Sequence, residues 1–324
     1  MFAVYVSNPN PDDPLSAVVV GERELPAEVP GGWVRVKVSH ASLNRHDIFT
    51  AMGWTMQPGG IPFPITLGCD GAGTLDDGTP VAIYPVLGSP GWRGDETLDP
   101  GFHILHEKVD GTFADYVYMP ARNAVALPGG LSPVHAGALG TAWLTAFRLL
   151  FTRIGVSAGQ TLLVQGASGG MATAFIQLAV AAGVEVWATS RTAEGAALAE
   201  RLGAARIFAS GAALPHPVDV VVDNVGAATW THSMHSVRSG GTIGTVGATT
   251  GGDPDAELSR LFVQQIRLVG SVMGTLEEMN ALMKFIVTAK IEPAIGLMLP
   301  MEYAVDGMAA MLEGRTAGKV MFTR

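Results

Sequence analysis

Residues 161–172 read Thr161-Leu-Leu-Val-Gln-Gly166-Ala167-Ser168-Gly169-Gly170-Met171-Ala172. A short apolar run meets a glycine-rich turn, and helix-favouring residues then continue to Ala182 before Gly183. Strand, tight turn and helix start aim unpaired backbone N–H groups and the positive helix end at a phosphate. Gly169 lets the backbone approach a pyrophosphate closely, because no Cβ stands between chain and ligand. On these residues alone a plain structural turn is an equal reading. What surrounds them decides.

Downstream, strand and helix patterns alternate. Val184–Ser190 reads as a second strand and Thr192–Leu202 as a helix closed by Gly203. Further strands are expected at Arg206–Ala209, Val218–Asn224, Thr242–Val246 and Arg267–Met273, with helices over Ala227–Val237 and about Asp255–Ile266. Strands joined by crossovers of helical length predict a parallel, doubly wound sheet with ligands at its carboxyl ends. A dinucleotide site of the NAD type carries an acid at the carboxyl end of the second strand. Counting alone selects Glu185, but that residue opens the strand. The carboxyl end is Thr189-Ser190-Arg191. A guanidinium pairs a phosphate through a planar donor fork, which favours the 2′-phosphate of NADP(H). An exposed helix-start arginine without a ligand is the plainer alternative.

Upstream the grammar changes. Trp33–Ser39 alternates apolar and polar, as a strand with one wet face does. Short strands are also expected at Phe2–Ser7, Ala17–Gly21, Pro80–Pro85 and Phe113–Met119, separated by Pro, Gly and Asp. That is barrel or sandwich patterning. Thr275-Leu-Glu-Glu278 opens a capped helix towards Lys290. Ile295–Leu299, a helix over Glu302–Glu313 and Lys319–Thr323 follow, and this tail is expected to pack back on the N-terminal β domain. Leu87–Asp110, rich in Gly, Pro and Asp, reads as a surface lobe. The divisions fall at 1–124, completed by 276–324, and 125–275.

The chain has 324 residues, 48% hydrophobic and 15% charged, with a formal net charge of −9. Mean hydropathy is +0.30 and the pI about 5.3. Two domains with a large buried sheet suit those values. No basic block interleaves with aromatics, so neither nucleic acid nor an anionic membrane is expected as a partner. Arg153 to Glu185 encloses 31 uncharged residues. Its glycines split that run into pieces too short to span a bilayer. The N-terminus lacks the pattern of a signal peptide. The single cysteine, Cys69, excludes an internal disulfide and fits a reducing, cytoplasmic setting.

Taken together, Ser42-Leu-Asn44-Arg-His46-Asp47, Pro64–Gly73, Thr141–Phe147, the glycine turn, Asp223-Asn224-Val225-Gly226, Gly240–Gly247 and Gly318-Lys319-Val resemble the medium-chain dehydrogenase/reductase superfamily, in its zinc-independent quinone oxidoreductase-like branch. The resemblance implies an α/β fold: a GroES-like β-barrel catalytic domain built from both chain ends, around a Rossmann domain. It also implies a homodimer, with a seam near Leu268–Met273.

Zinc-dependent members place a cysteine ligand where Asn44 stands, a histidine where Cys69 stands, and a cysteine or acid near Thr141. None is kept in kind here, and Leu87–Asp110 has no cysteine, so no metal is expected. Cys69, Asp70 and His46 are the one substitute set. The family glycine pattern ends Gly-Gly-Val-Gly, against Gly169-Gly170-Met171-Ala172 here. The tyrosine that some zinc-free members carry is Phe49.

These features imply hydride transfer from NADPH to a small electrophilic acceptor, a quinone or an α,β-unsaturated carbonyl, in the cleft between the two lobes. Asn44, His46 and Asp47 are the catalytic candidates. Asn44 would contact the nicotinamide ribose or substrate oxygen, Asp47 would hold its loop, and His46 or Tyr84 would donate a proton. Gly166, Ala167, Ser168, Gly169, Gly170 and Met171 are assigned to the diphosphate, and Ser190 and Arg191 to the 2′-phosphate. Thr145, Asn224, Val225, Gly226, Val246, Gly247, Val272 and Met273 are assigned to the nicotinamide half. Phe49, Trp54 and Met56 would line the substrate. The alternatives are a zinc-type alcohol dehydrogenase with atypical ligands, a non-catalytic NADPH-binding relative, and an enoyl reductase dedicated to one biosynthetic scaffold.

Overall fold

The computed structural model of the protein describes residues 1–24, 28–55 and 58–324. It divides into two compact units, Met1–Leu144 with Met273–Arg324, and Thr145–Val272. The first boundary thus falls at 144/145, where the sequence patterns place it at 124/125. Residues 125–144 stay with the β unit for a local reason. The Pro133–Ala136 helix and the start of the helical run from Leu139 pack on its sheet, and the Thr141 hydroxyl donates to Asp70 Oδ1 at 2.5 Å. At the second boundary, Gly274 lies close enough to Leu144 that a Cβ there would come within 2.7 Å of it.

In the Thr145–Val272 unit, six parallel strands are ordered Arg206–Ala209, Glu185–Ser190, Thr161–Val164, Val218–Asp223, Val237–Thr245, Arg267–Gly270. The central strands are apolar runs because both faces are covered. Leu162, Leu163, Val164, Val221 and Val222 are fully buried, each stabilising by roughly 1.5–3 kcal/mol. Trp187, Met234 and Ile243 close the core on one side. Thr192 caps the next helix, Ala193–Arg201, accepting from the Gly195 N–H. The order in which strands are added reverses between Thr161–Val164 and Val218–Asp223, which run parallel, and that switch point places loops at the carboxyl edge for a ligand. The fifth strand starts at Val237, before the expected Thr242, with a register shift against Val218–Val220. The expected helix at Asp255–Ile266 shortens to Leu258–Val263.

In the other unit, a seven-stranded sheet runs Ala124–Ala126, Pro80–Ile83, Asp70–Leu75, Trp33–Ser42, Lys319–Thr323, Ile295–Pro300, with Tyr116–Pro120 also on Trp33–Ser42. The tail therefore does complete this domain: Lys319–Thr323 pairs antiparallel with the end of Trp33–Ser42. The Asp70–Leu75 strand carries no apolar alternation. Its Gly73 is required by the sheet itself, since a Cβ there would stand 2.0 Å from the Lys37 carbonyl oxygen. Among the described residues, no helix is long and apolar enough to cross a membrane.

Candidate functional site

In the parallel-sheet unit the expected cofactor residues gather at one edge. Gly166 ends the first strand in a left-handed turn, φ 74°, where only glycine is comfortable. Its N–H donates to Thr189 Oγ1 at 3.1 Å, and the Ala167 N–H donates to the Thr189 carbonyl at 2.8 Å. The Thr189 hydroxyl in turn donates a hydrogen bond to Gln165 Oε1 at 2.8 Å, so the turn is braced from the second strand. Gly169 caps the Gly170–Ala181 helix with no side-chain hydrogen bond, and a Cβ on it would meet nothing within 4 Å. An uncapped helix start beside open space fits a diphosphate. Ser168 and Met171 flank it.

Ser190 ends the second strand at that edge and Arg191 follows it. Arg191 is exposed, with no ion pair among the described residues. Glu185 lies at the opposite end of the strand, accepting from Trp187 Nε1 at 2.7 Å. After the fourth strand, Asp223 Oδ1 accepts from the N–H groups of Val225 and Gly226 at 2.9 and 3.0 Å. The Asn224 Oδ1 atom is buried without a hydrogen bond. Beyond the fifth strand come Val246 and Gly247. Gly226, Trp230, Thr245 and Gly247 line a cavity of about 210 Å³. The residues present thus fit a dinucleotide. Thr145 is buried and Val272 about half exposed in this unit. Met273 stands apart from the other cofactor candidates: it groups with the β unit.

The β unit has a buried polar centre around Asp70. Its Oδ2 accepts from Ser42 Oγ at 2.7 Å, Asn44 Nδ2 at 2.9 Å and Lys319 Nζ at 3.1 Å. Lys319 also donates to Asn44 Oδ1 at 2.8 Å and to the Leu43 carbonyl at 3.0 Å. Asn44 is therefore committed at both ends of its amide. Thr141 gives its single proton to Asp70, so the 3.1 Å contact with Cys69 Sγ is the thiol donating to Thr141. Asp47 works as the sequence suggests for a loop holder, accepting from the Asn44 and Gly68 N–H groups at 2.7 and 2.9 Å. Burial pushes its carboxyl up to about 7, against those two donors. Burial, reinforced by Asp70 and Asp47, lifts the Cys69 thiol well above its usual value.

The other candidates separate. His46 Nε2 lies 3.0 Å from Glu107 Oε1. Tyr84 is buried and its hydroxyl donates to the Gly274 carbonyl at 2.8 Å, so it is a core residue rather than a proton donor. Phe49 packs edge-on against half-exposed Trp54. Met56 lies outside the described residues.

The zinc position of metal-dependent relatives would fall among Asn44, Cys69 and Thr141. Here an amide, a protonated thiol and a hydroxyl stand there with a lysine ammonium alongside. Of these three only Cys69 is a usual zinc ligand, and a catalytic zinc takes three protein ligands, so this position does not fit the ion. The substitute set Cys69, Asp70 and His46 does not assemble either, since Asp70 is consumed by Lys319 and its neighbours. Sequence reading named Asp70 only in the substitute metal set and Thr141 only as a lost zinc position, and passed over Lys319, although all three lie in its quoted motifs. A lysine heading the apolar run Lys319-Val-Met-Phe is the signal that a buried acid must answer it. It also missed His106, fully buried inside the supposed surface lobe, where Ile104, Leu105 and Glu107 are buried too.

Comparison with known proteins agrees with this layout. Residues 30–129 match the family model of the alcohol dehydrogenase GroES-like domain, and 170–288 that of the zinc-binding dehydrogenases. The zinc-type alcohol dehydrogenase-like protein YogA of Leptosphaeria maculans is 26% identical, over 94% of this chain and 92% of its own. The acryloyl-coenzyme A reductase of Sulfurisphaera tokodaii is 25% identical, over 92% and 94%. A solved NAD-dependent alcohol dehydrogenase superimposes with a TM-score of 0.91 at 28% identity, covering 100% of both chains.

Proposed function

The chain belongs to the medium-chain dehydrogenase/reductase superfamily and is one of its oxidoreductases, and we propose that it reduces electron-poor double bonds, of the enone, enoyl thioester or quinone class, at the expense of NADPH. The observation that carries this reading is Lys319, whose ammonium sits 2.8 Å from Asn44 Oδ1 and 3.1 Å from Asp70 Oδ2. Asn44, Cys69 and Thr141 are not a ligand set that would hold a Lewis acid against the substrate, so the acceptor would have to be electrophilic by itself. A conjugated double bond is. Positioning and exclusion of water then supply much of the acceleration.

NADPH, when bound, supplies the hydride. The protein's part in the parallel-sheet unit is to hold it: the Gly166–Met171 turn takes the diphosphate, Ser190 and Arg191 take the 2′-phosphate, and the loops at Asn224–Gly226 and Val246–Gly247 take the nicotinamide half. In the β unit, Asp47 and Lys319 fix the loop that carries Asn44. Acryloyl-coenzyme A reductases among the relatives support the enoyl reading. The relatives named for zinc-type alcohol dehydrogenases support the rival, whose ligand set this chain lacks. A homodimer is proposed through the unpaired edge strand Arg267–Gly270, beside exposed Leu258, Phe262 and Val263.

The test is a substrate panel. Coenzyme oxidation is followed with 1,4-benzoquinone, 9,10-phenanthrenequinone, a simple enone and acryloyl-coenzyme A, using NADPH and NADH in parallel, and NADP⁺ reduction is followed with simple alcohols. Turnover of at least one conjugated acceptor with NADPH preferred is expected. Alcohol oxidation in place of double-bond reduction would overturn the proposal.

A further inference from the structure

The β unit holds a second cluster of chemistry-bearing side chains, of which the reductase reading uses only Asp47, and that only to hold a loop. A carboxylate oxygen of Asp47, the sulfur of Cys69 and a ring nitrogen of His106 all lie within 4.8 Å of one another. All three residues are fully buried. His106 is the telling member. Neither of its ring nitrogens has a hydrogen bond, although Nδ1 stands 3.3 Å from Asp47 Oδ1. Burial, with His46 beside it, keeps the ring uncharged, so the contact is not an ion pair. A buried imidazole with two idle nitrogens is costly unless a ligand takes one of them.

We propose that Asp47, Cys69 and His106 form a buried three-ligand site for one divalent cation of the zinc class, displaced from the zinc position of metal-dependent relatives and built on a histidine from the Leu87–Asp110 segment. Carboxylate, thiolate and imidazole are a donor set suited to zinc. In tetrahedral coordination such ligand atoms stand roughly 3.3–3.8 Å apart, so closure requires small side-chain shifts within a loop region already in place. The charges balance: two positive charges on the ion meet one carboxylate and one thiolate, with a neutral imidazole. Binding displaces the protons of the Cys69 thiol and the Asp47 carboxyl to solvent, and no electron moves. The Asp47 Oδ1 atom keeps its bond from the Gly68 N–H and still has a lone pair to offer. Because the three ligands have no exposed surface, the ion braces the β unit from within, and its fourth position is left to a water. The reductase reading stands or falls separately.

The full-length protein, stripped with chelator and dialysed, is titrated with Co(II) and separately with Zn(II). Expected are one equivalent of Co(II) per chain, visible bands of a tetrahedral site with a near-ultraviolet thiolate-to-cobalt band, and a rise in thermal stability with Zn(II). Cys69→Ser abolishes the charge-transfer band, and His106→Asn, which tolerates the left-handed backbone there (φ 63°), weakens binding by at least about tenfold. Asn44→Ala and Thr141→Ala leave the band in place. No stoichiometric binding to the unmutated chain would overturn the proposal. Binding indifferent to His106→Asn but lost in Asn44→Ala or Thr141→Ala would overturn it too, and would return the ion to the family position.

Discussion

The Lys319 ammonium and the Asp70 carboxylate form an ion pair in which the two side chains are 2% and 0% exposed. Breaking such a pair on one side leaves a charge with neither solvent nor partner, at about 3–5 kcal/mol. Lys319→Met should therefore lower stability by that order, read by chemical denaturation. Adding Asp70→Asn should recover part of the loss, because the uncompensated charge disappears. If Lys319→Met proves as stable as the parent, the pair is not what organises this centre.

The two glycines that frame the expected diphosphate site differ in a way that separates folding from binding. Gly166 has φ 74°, and a Cβ on it would stand 3.1 Å from Val225 Cγ2. Gly166→Ala should cost about 1–2 kcal/mol of stability. At Gly169 the backbone is extended, φ −75° and ψ 158°, and a side chain would enter open space. Gly169→Val should leave the melting temperature near that of the parent while weakening NADPH by at least tenfold, measured by quenching of protein fluorescence. Intact binding in Gly169→Val would move the diphosphate elsewhere.

How far the sequence reaches is visible in particular elements. The strand at Arg206–Ala209 and the last strand, Lys319–Thr323, lie where the patterns place them, because an apolar run bounded by turn residues leaves little choice. The strand at Asp70–Leu75 was illegible. Its sequence, Asp-Gly-Ala-Gly-Thr-Leu, lacks the period-two signal, since its glycines answer to neighbouring backbone rather than to a core face. The site divides in the same manner. Residues 166–171 are contiguous and could be read as a unit. Asp70, Thr141 and Lys319 meet only through the fold, across separations of 71 and 249 positions, and no local pattern foretells such a meeting. His106 was hidden by a segment whose turn residues suggest surface.

Arg191 bears on coenzyme choice. It is exposed and makes no ion pair among the described residues, so its removal touches no native contact there. Arg191→Ala should weaken NADPH by about ten- to a hundredfold, the worth of a charge-assisted phosphate contact, and leave NADH nearly unchanged. Dissociation constants for both coenzymes, taken at one ionic strength, decide it. Equal losses would reject the 2′-phosphate role.

Cys69 is fully buried, and its thiol is held protonated. A thiolate is the reactive form. In the folded protein at pH 8 it should resist iodoacetamide and thiol reagents, and one thiol per chain should appear on unfolding. Rapid labelling of the native protein would show that the Cys69 pocket opens.

Asp47 makes the metal-free protein's stability depend on pH, and the sign follows from the two protonation equilibria. In the unfolded chain the carboxyl ionises near its ordinary value of 3.8, and in the folded protein burial moves this to about 7. Below about pH 4 both states hold the proton. Between the two values the folded state keeps it while the unfolded state has lost it, so unfolding releases a proton and rising pH favours unfolding. Stability should therefore fall by on the order of a few kcal/mol from pH 4 to pH 7 through this group, and stay level with respect to it above pH 7. Asp47→Asn keeps the shape without the ionisation, and denaturation curves collected across this range should lose that slope. Zinc bound at Asp47 would keep the carboxylate ionised in the folded protein, so the slope from this group should be absent wherever in that window the ion stays bound. An unchanged pH profile in metal-free Asp47→Asn would mean that the two backbone donors, and not burial, control this carboxyl.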